Sequence, residues 1–201
     1  MWETFLQNLN NTTWLEGFAV FFGLASVWYA KKENILVFPT GIISVLIYVY
    51  ITFFAKLYAD MAINFFYFVM SVYGWYMWTH QNSEKAERPI TWATKKDHII
   101  SAIGLVVFYA GMYYVLKFHT DSDVPIIDSL TTAIFIIGMY LMALKKIENW
   151  IYWIIGDLIS VPLYLYKGLV LTSFQFFVFL IIAVLGYLEW RKRYSERRAY
   201  D

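Results

Sequence analysis

Seven apolar stretches, each close to the length a helix needs to cross a bilayer, constrain this chain more than any other feature. A hydrocarbon core of about 30 Å takes roughly 17–25 mostly apolar helical residues. The stretches run over Trp14–Ala30, Leu36–Phe54, Met61–Trp78, His98–Leu116, Ile126–Leu144, Trp150–Tyr166 and Val170–Trp190. The first and sixth are short, with Trp or Tyr at their ends, where the membrane interface accommodates such rings. Composition points the same way: 60% of the 201 residues are hydrophobic and only 15% charged, against about 25% charged in a soluble domain. The expected fold is an all-α integral membrane protein, a single transmembrane domain over residues 1–201. No cysteine is present, so thiol chemistry and disulfides are excluded.

Basic residues set the expected orientation. Lys31 and Lys32, then Lys85, Arg88, Lys95 and Lys96, then Lys145 and Lys146, then Arg191 to Arg198 fall on alternate connections and the C-terminal tail. The opposite side holds only Lys56, Lys117 and Lys167. Cytoplasmic loops are the Lys- and Arg-rich ones, so the N-terminus is expected outside and the C-terminus in the cytoplasm. The polar segment from Met1 to Thr13 carries no Lys or Arg and does not read as a cleaved signal.

The chain also resembles itself. Lys31-Lys32-Glu33-Asn34 opens the second stretch and Lys145-Lys146-Ile147-Glu148-Asn149 the sixth. Ser44, Tyr48 and Tyr50 match Ser160, Tyr164 and Tyr166 at an offset of 116, and Gly74 and Trp78 match Gly186 and Trp190 at 112. The expected organisation is therefore 3+1+3: a parallel pseudo-repeat of residues 14–78 and 126–190, joined by a linker helix at 98–116. Parallel repeats related by an axis along the membrane normal occur in transporters, with substrate held between the halves.

Asp157 falls near the middle of the sixth stretch. A carboxylate at that depth costs about 2.5–3.5 kcal/mol on insertion scales, and intramembrane charges mark function by default. Trp150, Trp153 and Asp157 lie at i, i+3 and i+7, one helical face that Ser160 and Tyr164 continue. A protonated carboxyl, a watery cavity or a cationic ligand would offset the cost. Two indoles leading to a carboxylate suit a flat cationic ring; the alternative is a hydrogen-bonded Asp among belt tryptophans. Asn64 and Gln175 can bind a ligand or another helix. Thr40 and Gly41, beside Pro39, mark either a helix break near a site or simply a first turn. Glu16 and Asp128 sit at helix heads, as caps favoured by the helix dipole or as an outer gate.

The absences matter too. There is no phosphate-binding Gly-rich loop with its Lys, so the chain does not hydrolyse ATP itself. The three histidines are scattered, no cofactor is implied, and no second mid-membrane Asp accompanies Asp157 to make a protease. An enzyme is not expected. A seven-helix receptor or sensor is the alternative of a different class, but the short loops and tail leave it no output domain.

The stretch Glu148-Asn149-Trp150-Ile151-Tyr152-Trp153 through Asp157, Ser160 and Tyr164 resembles the signature of the PnuC family of bacterial vitamin transporters. Leu57-Tyr58-Ala59 and Tyr73-Gly74-Trp75-Tyr76-Met77-Trp78 resemble that family's third helix, and the likeness runs from about Trp14 to Trp190. The resemblance implies a multi-pass protein of the bacterial inner membrane, often a trimer, that carries an unphosphorylated vitamin by facilitated diffusion. A cytoplasmic kinase then traps the vitamin; no nucleic acid is involved. It places Trp150, Trp153, Asp157 and Asn64 at substrate-contacting positions. Members resembling the nicotinamide riboside transporters usually show Asn where this chain has Asp157 and Gln where it has Asn64. These two departures turn the expectation toward thiamine, with nicotinamide riboside as the alternative.

Overall fold

The computed structural model describes residues 14–54, 58–80 and 88–199. The segment from Met1 to Thr13, Leu57 of the family-like motif, and Lys56 and Lys85 of the charge pattern lie outside the described residues. Seven helices account for nearly all of what is described: α1 (Trp14–Lys31), α2 (Val37–Phe54), α3 (Tyr58–Thr79), α4 (Lys95–His119), α5 (Pro125–Ala143), α6 (Asn149–Tyr166) and α7 (Val170–Arg198). Four of the seven, α2, α4, α5 and α7, are long and apolar enough by composition to cross a membrane. The other three carry polar and aromatic residues such as Asp60, Asn64 and Asp157, which lower their hydropathy.

Local chemistry explains the ends. Thr94 caps α4 through a reciprocal capping box with Asp97, and Pro125 takes the first position of α5, where its missing N–H is no loss. Three helices end in the Schellman arrangement of paired reverse hydrogen bonds. After α6 the left-handed position is Gly168, with a φ of 75°. After α1 and α5 it is Glu33 and Lys145, at φ 57° and 53°. A side chain in that conformation costs about 1–2 kcal/mol. Helix α7 runs eight residues past the expected Trp190, because Arg193 pairs with Glu189 and Lys192 with Glu196 one turn apart.

The first three helices pack in sequence order, α1 on α2 and α2 on α3, and the last three repeat that order. Helix α4 lies against α5, and the two triplets meet where α1 touches α7 and α3 touches α5. The connections rich in Lys and Arg gather at one end. There Lys145 Nζ sits 2.9 Å from Glu33 Oε1, with both side chains almost fully buried, and 4.4 Å above the Trp78 ring. Arg193 and Arg197 of α7 approach the same Glu33 at 3.5 and 3.2 Å. Trp78 Nε1 donates to Met142 O at the end of α5, and Trp190 Nε1 donates to Ala30 O at the end of α1. Residues 88–94 close over this node, with Thr91 and the α5–α6 turn exchanging backbone hydrogen bonds and Glu148 accepting from Ala93 N.

Removing one partner of a buried ion pair leaves a charge without compensation, at a cost of about 3–5 kcal/mol. Lys145→Met is expected to lower the thermal midpoint of the detergent-solubilised protein strongly, read by tryptophan fluorescence. The double variant Glu33→Gly, Lys145→Gly removes both charges and both left-handed side chains, so it should lose less than the single Lys145 variant.

Candidate binding site

Between the two helix triplets lies a cavity of about 420 Å³. One wall is a column of stacked rings. Trp153 stacks on Phe135 at 5.3 Å, Phe135 on Phe176 at 5.8 Å, and Phe176 on Tyr164 at 4.9 Å. Helix α6 sends Trp153, Asp157 and Tyr164 to this wall because their spacing of four and seven residues keeps them on one face. Glycine lets the column close up: a Cβ on Gly156 would collide with the Phe135 ring, and one on Gly138 would press on the Trp153 indole.

The opposite wall, contributed by the first three helices, sets Ser26, Ser44, Tyr48, Asn64 and Ser71 among apolar residues such as Val27, Phe38 and Val45. Ser44 Oγ donates to Ala19 O and Ser26 Oγ to Val37 O, at 2.8 and 2.7 Å. Asn64 Nδ2 donates to Asp60 O at 2.9 Å, and among the described residues its Oδ1 has no hydrogen-bond partner. Among the described residues, no Lys, Arg or His lines the cavity. Asp157 is only 2% exposed and, among the described residues, has neither an ion pair nor a hydrogen bond.

The structure thus brings Trp153, Asp157, Tyr164, Asn64, Gln175 and Gly41 to one cavity. Trp150 is not part of it. Its indole is 1% exposed, sits over Gly186 and meets Trp190 edge-on at 5.6 Å in the core of the basic end. A shared face on a helix does not mean a shared environment: Trp150 is three residues nearer the closed end than Trp153. Ser160 is buried beside the cavity without lining it. Thr40 bonds back to Leu36 O, in the unbroken first turn of α2, and does not reach the cavity. Asp128 pairs with Lys167 at 2.6 Å and accepts from Ser122, a structural tie at the end opposite the basic one. Glu16 lies outside the lining, in the first turn of α1.

The sequence reading missed Phe135, Phe176 and the serine wall. Phe135 and Phe176 look like ordinary span residues, and only their stacking across three helices distinguishes them. Among the described residues, no group of three His, Asp or Glu gathers to hold a metal ion.

A buried carboxylate without a partner destabilises the fold that holds it. Asp157→Asn keeps the shape and removes the charge, so the ligand-free variant should unfold at a higher temperature than the parent, by about 1 kcal/mol or more.

Comparison with known proteins agrees with the geometry. The chain is 27% identical to the nicotinamide riboside transporter PnuC of Escherichia coli (strain K12), over 92% of this chain and 88% of that one. It is 22% identical to the riboflavin/roseoflavin transporter RibM of Streptomyces davaonensis, over 94% and 89%. A solved crystal structure described as the vitamin B3 transporter PnuC superposes with a TM-score of 0.72 at 24% identity, covering 96% of this chain and 87% of that chain, which shows the shared fold. The family model described as nicotinamide mononucleotide transporter matches residues 13–192. The chain belongs to that transporter family.

Proposed function

We propose that this protein is a multi-pass transporter of nicotinamide riboside, moving the vitamin by facilitated diffusion through the cavity between its helix triplets. The observation that carries the reading is that cavity: an aromatic wall for a flat ring, a hydroxyl-bearing wall for a sugar, and a lone carboxylate. The chemistry favours the riboside over the mononucleotide of the family description. Among the described residues, a phosphate would find no Lys, Arg or His on the cavity wall and would meet Asp157. The Escherichia coli relative's name supports the riboside, RibM is named for riboflavin and roseoflavin, and neither name gives thiamine. The expectation of thiamine, drawn from the departures at Asn64 and Asp157, is therefore replaced: those two positions alter the site without marking another vitamin. The relatives are named as transporters, which favours transport over the receptor alternative.

Two further elements belong to this reading. The triplets are copies related by an axis along the membrane normal, with α4 as the linker. Contacts separated by 112 residues support this. Trp78 with Met142 and Trp190 with Ala30 are such a pair of contacts, as are Gly74 with Phe38 and Gly186 with Trp150. Helices α2 and α6 have bounds 112 apart at both ends, so the offset of 116 read from Ser44 and Ser160 is out of register by one turn. At the offset of 112, Lys145 stands in register with Glu33. The basic end faces the cytoplasm of a bacterial inner-membrane protein, as the charge asymmetry favours. A cytoplasmic kinase traps the product, and the chain assembles as a homo-oligomer, a trimer on the family resemblance.

The test is uptake of labelled nicotinamide riboside into proteoliposomes. Entry should be saturable and stop at the external concentration, with no imposed gradient. Accumulation above that level, or dependence on a pH gradient, rules out facilitated diffusion. Trp153→Ala removes stacking and cation–π contact with the ring, together about 1–2 kcal/mol. Calorimetry should therefore show roughly tenfold weaker riboside binding.

A further inference from the structure

We infer that Asp157 makes the cavity selective for the carboxamide form of the nucleoside and against its carboxylate analogue, nicotinic acid riboside. The inference rests on the nicotinamide riboside reading above. The two ligands have the same ring, sugar and shape and differ only in an amide –NH2 replaced by a carboxylate oxygen. A pocket cannot separate isosteres by size. Charge and donor capacity are the only available means.

Both act in the same direction here. Asp157 is buried in the wall one helical turn beyond Trp153, and among the described residues no cation on the lining offsets it. A net-cationic ligand supplies the missing counter-charge. The acid analogue is a zwitterion, which brings a second carboxylate into the same poorly screened space. The hydroxyl wall adds to the effect. The Ser26 and Ser44 protons are committed to Val37 O and Ala19 O, and one Asn64 amide proton to Asp60 O. These groups therefore turn mainly acceptor lone pairs toward the cavity. An amide –NH2 can donate to them and a carboxylate cannot. Tyr48 and Gln175 are hydrogen-bonded to each other, and the Tyr67, Tyr164, Ser71 and Thr172 hydroxyls can serve either ligand, so the balance is left to Asp157.

The test is calorimetric binding of nicotinamide riboside and nicotinic acid riboside to the full-length protein in detergent, for the parent, Asp157→Asn and Asp157→Glu. The parent should prefer the amide by about tenfold or more. Asp157→Asn should narrow that preference to about threefold or less, and Asp157→Glu, which keeps the charge, should retain it. Equal binding of the two ligands by the parent overturns the inference. So does a preference that Asp157→Asn leaves unchanged, because selectivity would then arise elsewhere in the cavity. Failure of the folded parent to bind either riboside, with its thermal midpoint intact, overturns the functional reading itself.

Discussion

The Glu33–Lys145 ion pair is the contact on which the closed end of this protein depends. It joins the α1–α2 turn to the α5–α6 turn, and each partner occupies a left-handed backbone position that would ordinarily fall to glycine. The backbone strain and the desolvation of two charges both oppose this arrangement. It persists because the two charges meet at 2.9 Å over the Trp78 ring, and because Arg193 and Arg197 add positive charge around Glu33. Around that node the two interhelical tryptophan hydrogen bonds hold α3 to α5 and α7 to α1. Four aromatic residues, Phe38, Trp78, Trp150 and Trp190, fill the remaining space. One end of the bundle is thereby sealed by packing and charge together, and the open volume lies beyond it.

That volume exists because the two triplets are unlike where they face each other. Gly23, Ser26, Gly41 and Ser44 line one side, while Phe135 and Trp153 stand on the other. Small residues let α1 and α2 approach closely and leave room in front of them. On the second side, glycines at 138 and 156 sit behind the rings and let them stack. Glycine and aromatic residues thus serve one purpose from opposite sides, a cavity of about 420 Å³ between the triplets. Asp157 works against the stability of this construction, as charges held for binding commonly do. Among the described residues it has neither an ion pair nor a hydrogen bond.

The seven helices were legible because span length and apolar composition are properties of contiguous residues; the expected bounds fall within about three residues of the observed ones at most ends. The intramembrane carboxylate was legible for a related reason, since its cost does not depend on which neighbour it meets. Trp150 shows where that reasoning fails. It shares a helical face with Trp153 and Asp157, yet it belongs to the sealed end, since depth along the axis rather than angle around it decides what a side chain meets. Thr40 fails differently: beside Pro39 and Gly41 it suggested a break, but proline in a first turn costs no hydrogen bond.

By itself, then, the sequence determined the helices, the end at which positive charge collects, and the presence of one costly carboxylate with an indole a turn away. All of these follow from local length, periodicity and solvation. Only the tertiary structure decided that Phe135 and Phe176 complete the ring column, that serines face it, and that Glu33 meets Lys145. Those relations join residues tens to more than a hundred positions apart, and they arise from how helices pack on one another rather than from any pattern along one helix.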